Sequence, residues 1–179
     1  MCENNNTQRW YALQVQPKRE NMVSTLLRYK GYEEYLPTYK ARKEPGAKNR
    51  EHLLFPGYVF CKLALTSSYG SDDGGKVVTT AGVVRLLGAG RTPIALEDSE
   101  IEAVKRSLEA DHRAEPWPFL AAGDAVQVTG GALRGVRGTL VSTNGRDLLV
   151  LSIQLLQRSV AVTIDRRWVS AVGTPAPAS

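Results

Sequence analysis

This chain of 179 residues is poor in the side chains that most often carry chemistry. It has two cysteines, Cys2 in a polar opening stretch and Cys61 inside an apolar strand pattern, which is too few for a disulfide framework. Cys61 reads as a small buried hydrophobe and not as a reactive thiol. Its two histidines, His52 in a basic arm and His112 near a pair of prolines, stand in neither metal-ligand nor nucleophile–base spacing. Acidic residues gather at Glu97, Asp98 and Glu100, where the first turn of a helix gives them a dipole role instead of acid–base work. Gly88-Ala89-Gly90 is too short to cradle a phosphate. The expectation is therefore a protein that is not an enzyme and uses no cofactor and no metal. No apolar run is long enough to span a bilayer, and residues 1–9 are polar and Asn-rich without an apolar signal-peptide core. A soluble cytoplasmic protein with no membrane partner is expected.

What the chain does carry is positive charge, unevenly placed. The net charge is +5, and residues 17–50 hold nine Lys/Arg against four Glu. Such an excess fits a surface lying near a polyanion, with Lys18, Arg28 and Lys30 on or beside the first helix as the candidate contacts. An ordinary solvated face explains the same residues equally well.

The apolar pattern divides the chain in two. In the first half, residues 10–16 read as a strand with Trp10, Ala12 and Gln14 on one face and Tyr11, Leu13 and Val15 on the other. Residues 18–30 read as a helix with a stripe of Met22, Val23, Leu26 and Leu27, closed by Gly31. Residues 35–39 form a strand bent at Pro37, 40–52 a mobile hairpin arm, 54–65 a third strand and 83–87 a fourth, whereas 66–76 read as loop or frayed helix. A clear helix opens at Asp98, with Ile101, Val104 and Leu108 on one face. Prolines 116 and 118 around Trp117 suggest a short semi-rigid linker over residues 112–122. Beyond it, five short strands in about fifty residues, with an Asn144-Gly145 hairpin signal and glycines at 130, 135 and 138, suit a small closed β module. The predicted fold class is an α+β N-terminal domain, an antiparallel sheet flanked by helices, over residues 10–111. A small all-β SH3-like barrel follows over 123–173, with disordered ends at 1–9 and 174–179.

Three segments carry a family resemblance. Trp10-Tyr11-Ala12-Leu13-Gln14, Phe55-Pro56-Gly57-Tyr58, and Gly82-Val83 with Thr92-Pro93-Ile94 resemble the N-terminal domain of the NusG family of transcription elongation factors. Gly123-Asp124, Val126 and Val128 with Gly130, Gly135 and Gly138 resemble its C-terminal KOW module, in the same order along the chain. The resemblance implies a factor that grips the clamp helices of the largest RNA polymerase subunit through an apolar surface. Phe55, Pro56 and Tyr58 would lie on that surface with Leu86 beside them, although Phe55 is equally a candidate for the core and Phe60 a better one. The charge excess in residues 17–50, and that alone, motivates an expectation of nontemplate DNA near Lys18, Arg28 and Lys30. A KOW partner, either the small-subunit ribosomal protein NusE or Rho, would meet Leu155, Leu156 and Arg158. Leu156 and Gln157 depart from the family's aromatic, Ile and Gly pattern here, and residues 155–162 resemble the specialised operon-associated branch of the RfaH/UpxY type. Another departure is Asp73-Gly74-Gly75-Lys76, which stands where that branch touches the polymerase gate loop through a His-Thr-rich patch. A monomer is expected. The competing expectation is a KOW-containing RNA-binding or ribosome-associated protein, suggested by six arginines against three aspartates in the β module.

Overall fold

The computed structural model describes residues 8–40, 51–65, 73–89, 92–110, 114–118 and 124–172. By its internal contacts the chain divides into two units, residues 1–38 with 53–101 and residues 39–52 with 102–179. The ends expected to be disordered lie mostly outside the described residues, as do positions 41–50 of the arm.

Strand β1 (Arg9–Val15) alternates as its sequence demands, and because both of its faces are covered, every residue from Trp10 to Leu13 is buried. Helix α1 (Glu20–Tyr29) begins two residues later than the periodicity suggests, since Lys18 adopts a left-handed φ of 66° that no helix accommodates. At its other end Gly31, at φ 86°, lets Tyr32 N–H reach Leu27 O (3.1 Å) and Gly31 N–H reach Arg28 O (2.9 Å). Those two bonds satisfy carbonyls the helix would otherwise leave open. Pro37 then splits the next strand, giving β2 (Glu34–Tyr35) and β3 (Thr38–Lys40); β3 pairs with β4 (Glu51–Leu53) in a two-stranded ribbon where Tyr39 and His52 stack 5.7 Å apart. Strand β5 (Tyr58–Leu63), helix α2 (Asp73–Val78), strand β6 (Val83–Leu86), and the short pair β7 (Gly88–Ala89) and β8 (Thr92–Pro93) complete the run to α3 (Asp98–Glu109). Part of the weakly patterned 66–76 segment is thus helical, while 66–72 lie outside the described residues.

Four of these strands form one antiparallel sheet in the order β2-β5-β1-β6. Tyr11, Leu13 and Val15 of β1, Val59, Cys61 and Leu63 of β5, and Leu86 of β6 share one face. Val23 and Leu27 of α1 and Val77 of α2 pack into the same cluster. Fully burying each such side chain contributes roughly 1.5–3 kcal/mol, so this cluster is the main reason that the sheet and the two helices hold together.

In the second unit, β9 (Ala114–Trp117), β10 (Asp124–Val128), β11 (Arg137–Thr143), β12 (Arg146–Ile153), β13 (Arg158–Thr163) and β14 (Val169–Ala171) form an antiparallel sheet in the order β14-β10-β11-β12-β13-β9. The five expected strands are all present. Asn144 (φ 49°) and Gly145 (φ 71°) make the two-residue turn between β11 and β12, and this fixes the register of Thr143 opposite Arg146. Successive residues Leu148 to Leu151 are all buried, which puts apolar cover on both faces of β12. The linker expectation is corrected here. Ala114–Trp117, inside the proposed 112–122 connector, is a strand whose Ala114, Glu115, Pro116 and Trp117 face Val162, Ala161, Val160 and Ser159 of β13. Pro116 is tolerated because β9 is the last strand of the order, with no second strand beside it among the described residues, so that side of the strand needs no donor.

Candidate functional site

The segment Phe55-Pro56-Gly57-Tyr58 is a tight turn feeding β5. Tyr58 N–H donates to Phe55 O (3.2 Å), with Pro at the second position and Gly57 at φ 86° at the third, the conformation of a type II turn. Proline presets the first central φ, and only glycine takes the second without strain. In this turn the peptide joining Pro56 to Gly57 stands across the turn plane, and both polar groups of Gly57 are held. Its carbonyl accepts from Val15 N–H at the end of β1 (2.9 Å), and its N–H donates to Oε1 of Glu20 in the first turn of α1 (2.9 Å).

The four residues expected to form a docking surface separate into two pairs. Pro56 is exposed and Tyr58 half-buried. Phe55 is 1% exposed, with its ring edge-on to Phe60 at 5.6 Å and 90°, and Leu86 is 3% exposed within the helix-side cluster. Neither can offer contact area to a partner from that position, so both are corrected from surface to interior. For Leu86 the reason is strand parity: it sits opposite Leu13 and so points to the helix side. Parity also identifies neighbours that the sequence reading did not place in the site. Tyr58 is opposite Gln14, and Gln14 is opposite Arg85, so the three form one row across β5, β1 and β6, with Arg85 Nε donating to Gln14 Oε1 (2.7 Å). A register shift beside Arg85 leaves Val84 as the extra residue of β6, and it is 52% exposed. The alternation of Trp10, Ala12 and Gln14 was the sequence signal for this row.

The three candidate nucleic-acid cations do not form one patch. Lys18 is exposed at the start of α1, and Lys30 caps its far end, about 15 Å away by the helical rise. Lys30 Nζ is engaged with Lys76 O (3.0 Å) and Thr80 Oγ1 (2.8 Å). Arg28 pairs through Nε and Nη2 with Glu34, whose second oxygen accepts from Ser24 Oγ (2.7 Å). Close to Lys30, an open cleft of about 590 Å³ is lined by residues that include Tyr32, Lys62, Asp73 and Lys76. Tyr32 donates to Asp73 (3.2 Å), and burial together with that carboxylate pushes its phenol up to about 12. Mixed signs and internal pairing make this cleft a structural junction.

At the other candidate site, residues 154–156 form a single turn of 3₁₀ helix and Gln157 takes a left-handed conformation (φ 51°) leading into β13. Leu155 is half-exposed and Arg158 exposed, whereas Leu156 is buried and is corrected to the interior. Two adjacent leucines cannot both point inward from this turn, and Leu156 is the one that does. Trp168, which follows Asp165-Arg166-Arg167, is 42% exposed, and its indole lies so close to Gly131 that a Cβ there would come within 2.6 Å of the ring. Among the described residues no group of three His, Cys, Asp or Glu is placed to hold a metal ion, and no helix is long and apolar enough to cross a membrane.

With this geometry in view, a family model described as transcription termination factor nusG matches residues 8–105. A transcription termination/antitermination protein NusG from Rickettsia prowazekii is 24% identical over 174 residues, covering 90% of this chain and 88% of that protein. The protein of the same name from Rickettsia conorii is 26% identical over 117 residues, covering 64% of this chain and 59% of that protein. A solved structure concerned with domain interaction in Thermotoga maritima NusG has a TM-score of 0.54 at 18% identity and covers 93% of this chain and 98% of that one, a likeness of fold.

Proposed function

This chain belongs to the NusG family, and from that premise we propose that it is a transcription elongation and antitermination factor whose first unit docks on RNA polymerase. The observation that carries the reading is the turn. Exposed Pro56 and half-buried Tyr58 stand at the end of a sheet, in line with Gln14 and Arg85 and near exposed Val84. An aromatic ring backed by a rigid sheet and flanked by polar groups is the arrangement that concentrates binding energy when a partner's helices desolvate it. The partner in this reading is the pair of clamp helices of the largest polymerase subunit. Leu86 supports the row from the helix side of the sheet, and Phe55, packed on Phe60, from the same face as Tyr58. The second unit acts as a KOW module that recruits a partner, NusE or Rho, through Leu155 and Arg158. Of the three cations, Lys18 is left as the contact to nontemplate DNA. The protein works in the cytoplasm as a monomer of the operon-associated RfaH/UpxY type.

Affinity purification of polymerase from the native host, comparing wild type with Tyr58→Ala, tests this. A desolvated aromatic anchor is worth about 2 kcal/mol or more, so the variant should bind at least roughly thirtyfold more weakly while remaining folded. Equal retention of polymerase by both proteins would overturn the reading.

A second reading, RNA binding by the β module, is favoured by Trp168, an exposed indole seated on Gly131 in a segment with six arginines and three aspartates over residues 124–172. The same purification decides: ribosomes or RNA recovered without polymerase would select it.

A further inference from the structure

Glu20 is a charged residue that the sequence gives no reason to bury, yet it is only 4% exposed. Taking a carboxylate out of water is costly unless it is well partnered. Its position in the first turn of α1 places it at the positive end of the helix dipole, where an acidic side chain is favourably placed. Oε1 accepts the Gly57 N–H at 2.9 Å. That N–H belongs to the one peptide whose orientation distinguishes a type II turn from a type I turn. Rotating the peptide by half a turn would swing the N–H away from Glu20 and bring the Pro56 carbonyl toward it. An acceptor-only group on this side therefore rewards one orientation and repels the other. Val15 N–H on the Gly57 carbonyl fixes the following peptide in the same way.

We infer that Glu20 is a positioning residue for polymerase docking, its carboxylate holding the Pro56–Gly57 peptide in the orientation that presents Pro56 and Tyr58. The inference rests on the docking reading above for its consequence, while the local part stands on the hydrogen bond itself. Glu20 touches no partner. It acts by keeping the turn populated in its competent form, and apparent affinity falls in proportion to that population.

The test compares wild type, Glu20→Ala, Glu20→Gln and Tyr58→Ala in the full chain, reading binding to core polymerase, the melting temperature, and the NMR shift and hydrogen exchange of the Gly57 amide. In Glu20→Ala the Gly57 amide should lose its downfield shift and exchange faster, and polymerase binding should weaken roughly fivefold or more. Glu20→Gln keeps an acceptor oxygen at the same reach and should recover most of both effects. A purely structural role would lower the melting temperature without the rescue tracking the Gly57 amide. If the Gly57 amide in Glu20→Ala keeps the wild-type shift and protection, the inference is overturned. If the amide responds but Glu20→Ala binds polymerase as wild type does, its consequence for docking is overturned. Failure of wild type itself to bind polymerase would instead overturn the docking reading, with the amide still deciding whether Glu20 sets the turn.

Discussion

Replacing Phe55 with alanine separates an interior ring from a docking ring more sharply than any other single change. The ring is 1% exposed and meets Phe60 edge-on at 5.6 Å. Truncating a buried phenylalanine costs about 3–5 kcal/mol, of which roughly 0.5–1.5 kcal/mol belongs to the aromatic pair. For a unit of this size each kcal/mol moves the melting temperature by about 4–8 °C, so a fall of at least roughly 12 °C is expected. The loss is a large part of the 5–15 kcal/mol that typically separates folded from unfolded chains. Urea unfolding followed by the amide signals of β1 and β5 reads the first unit without counting the second. Pro56→Ala, at an exposed site, provides the contrast and should stay within about 0.5 kcal/mol of wild type, apart from the unfolded-state entropy that proline restrains. A Phe55→Ala variant that unfolds at the wild-type urea concentration but has lost polymerase would refute this reasoning and return Phe55 to the docking surface.

Cys61 gives a pH signature. Burial, and then the negative charges of Glu34, Asp73 and Glu33, push its thiol from 9.0 up to about 12. Because the folded value is the higher one, its contribution is complete below the unfolded value and is lost as pH rises from 9.0 toward about 12, where the unfolded thiol releases a proton that the folded one keeps. Urea midpoints measured on either side of pH 9.0 should fall with pH in wild type and fall less in Cys61→Ala, and equal slopes would remove the thiol as the cause. For the cations, crosslinking to nontemplate DNA across a salt series should show a slope reduced by about one in Lys18→Ala. Lys30→Ala should leave the slope unchanged and instead cost about 1 kcal/mol of stability through its lost hydrogen bonds; the reverse pattern would show that the two ends of α1 have been assigned the wrong roles.

Features decided by neighbouring residues were legible in the sequence. The alternation of β1, the glycine stop after α1, the break at Pro37 and the Asn144-Gly145 hairpin all follow from the conformations that those residues can adopt. Residues 114–117 read as connector because two prolines around Trp117 suit a semi-rigid linker, but a proline is also tolerated in a strand at the end of a sheet, and among the described residues β9 pairs only with β13. Phe55 is a related case. Parity sorts the residues of β5 onto two faces, but it cannot be carried backward through the turn, so the choice between surface and core that the sequence left open for Phe55 could not be decided locally, and the ring folds inward onto Phe60.

The same limit governs the site. Glycine at position 57 could be recognised from the turn it permits, whereas the group that selects this turn over its alternative lies 37 residues earlier, on another element. Its own neighbourhood offered only the bland explanation of an acidic residue in the first turn of a helix. Both roles are met by one carboxylate: the helix dipole offsets part of the cost of burying it, and the Gly57 N–H supplies the partner without which burial would be prohibitive. With Phe55 and Leu86 withdrawn to the interior, the docking surface proposed for the first unit rests on Tyr58, Pro56 and the row they end. On the docking reading proposed above, the orientation of one peptide becomes a determinant of affinity, and the buried acid behind the turn matters as much to that reading as the aromatic in front of it.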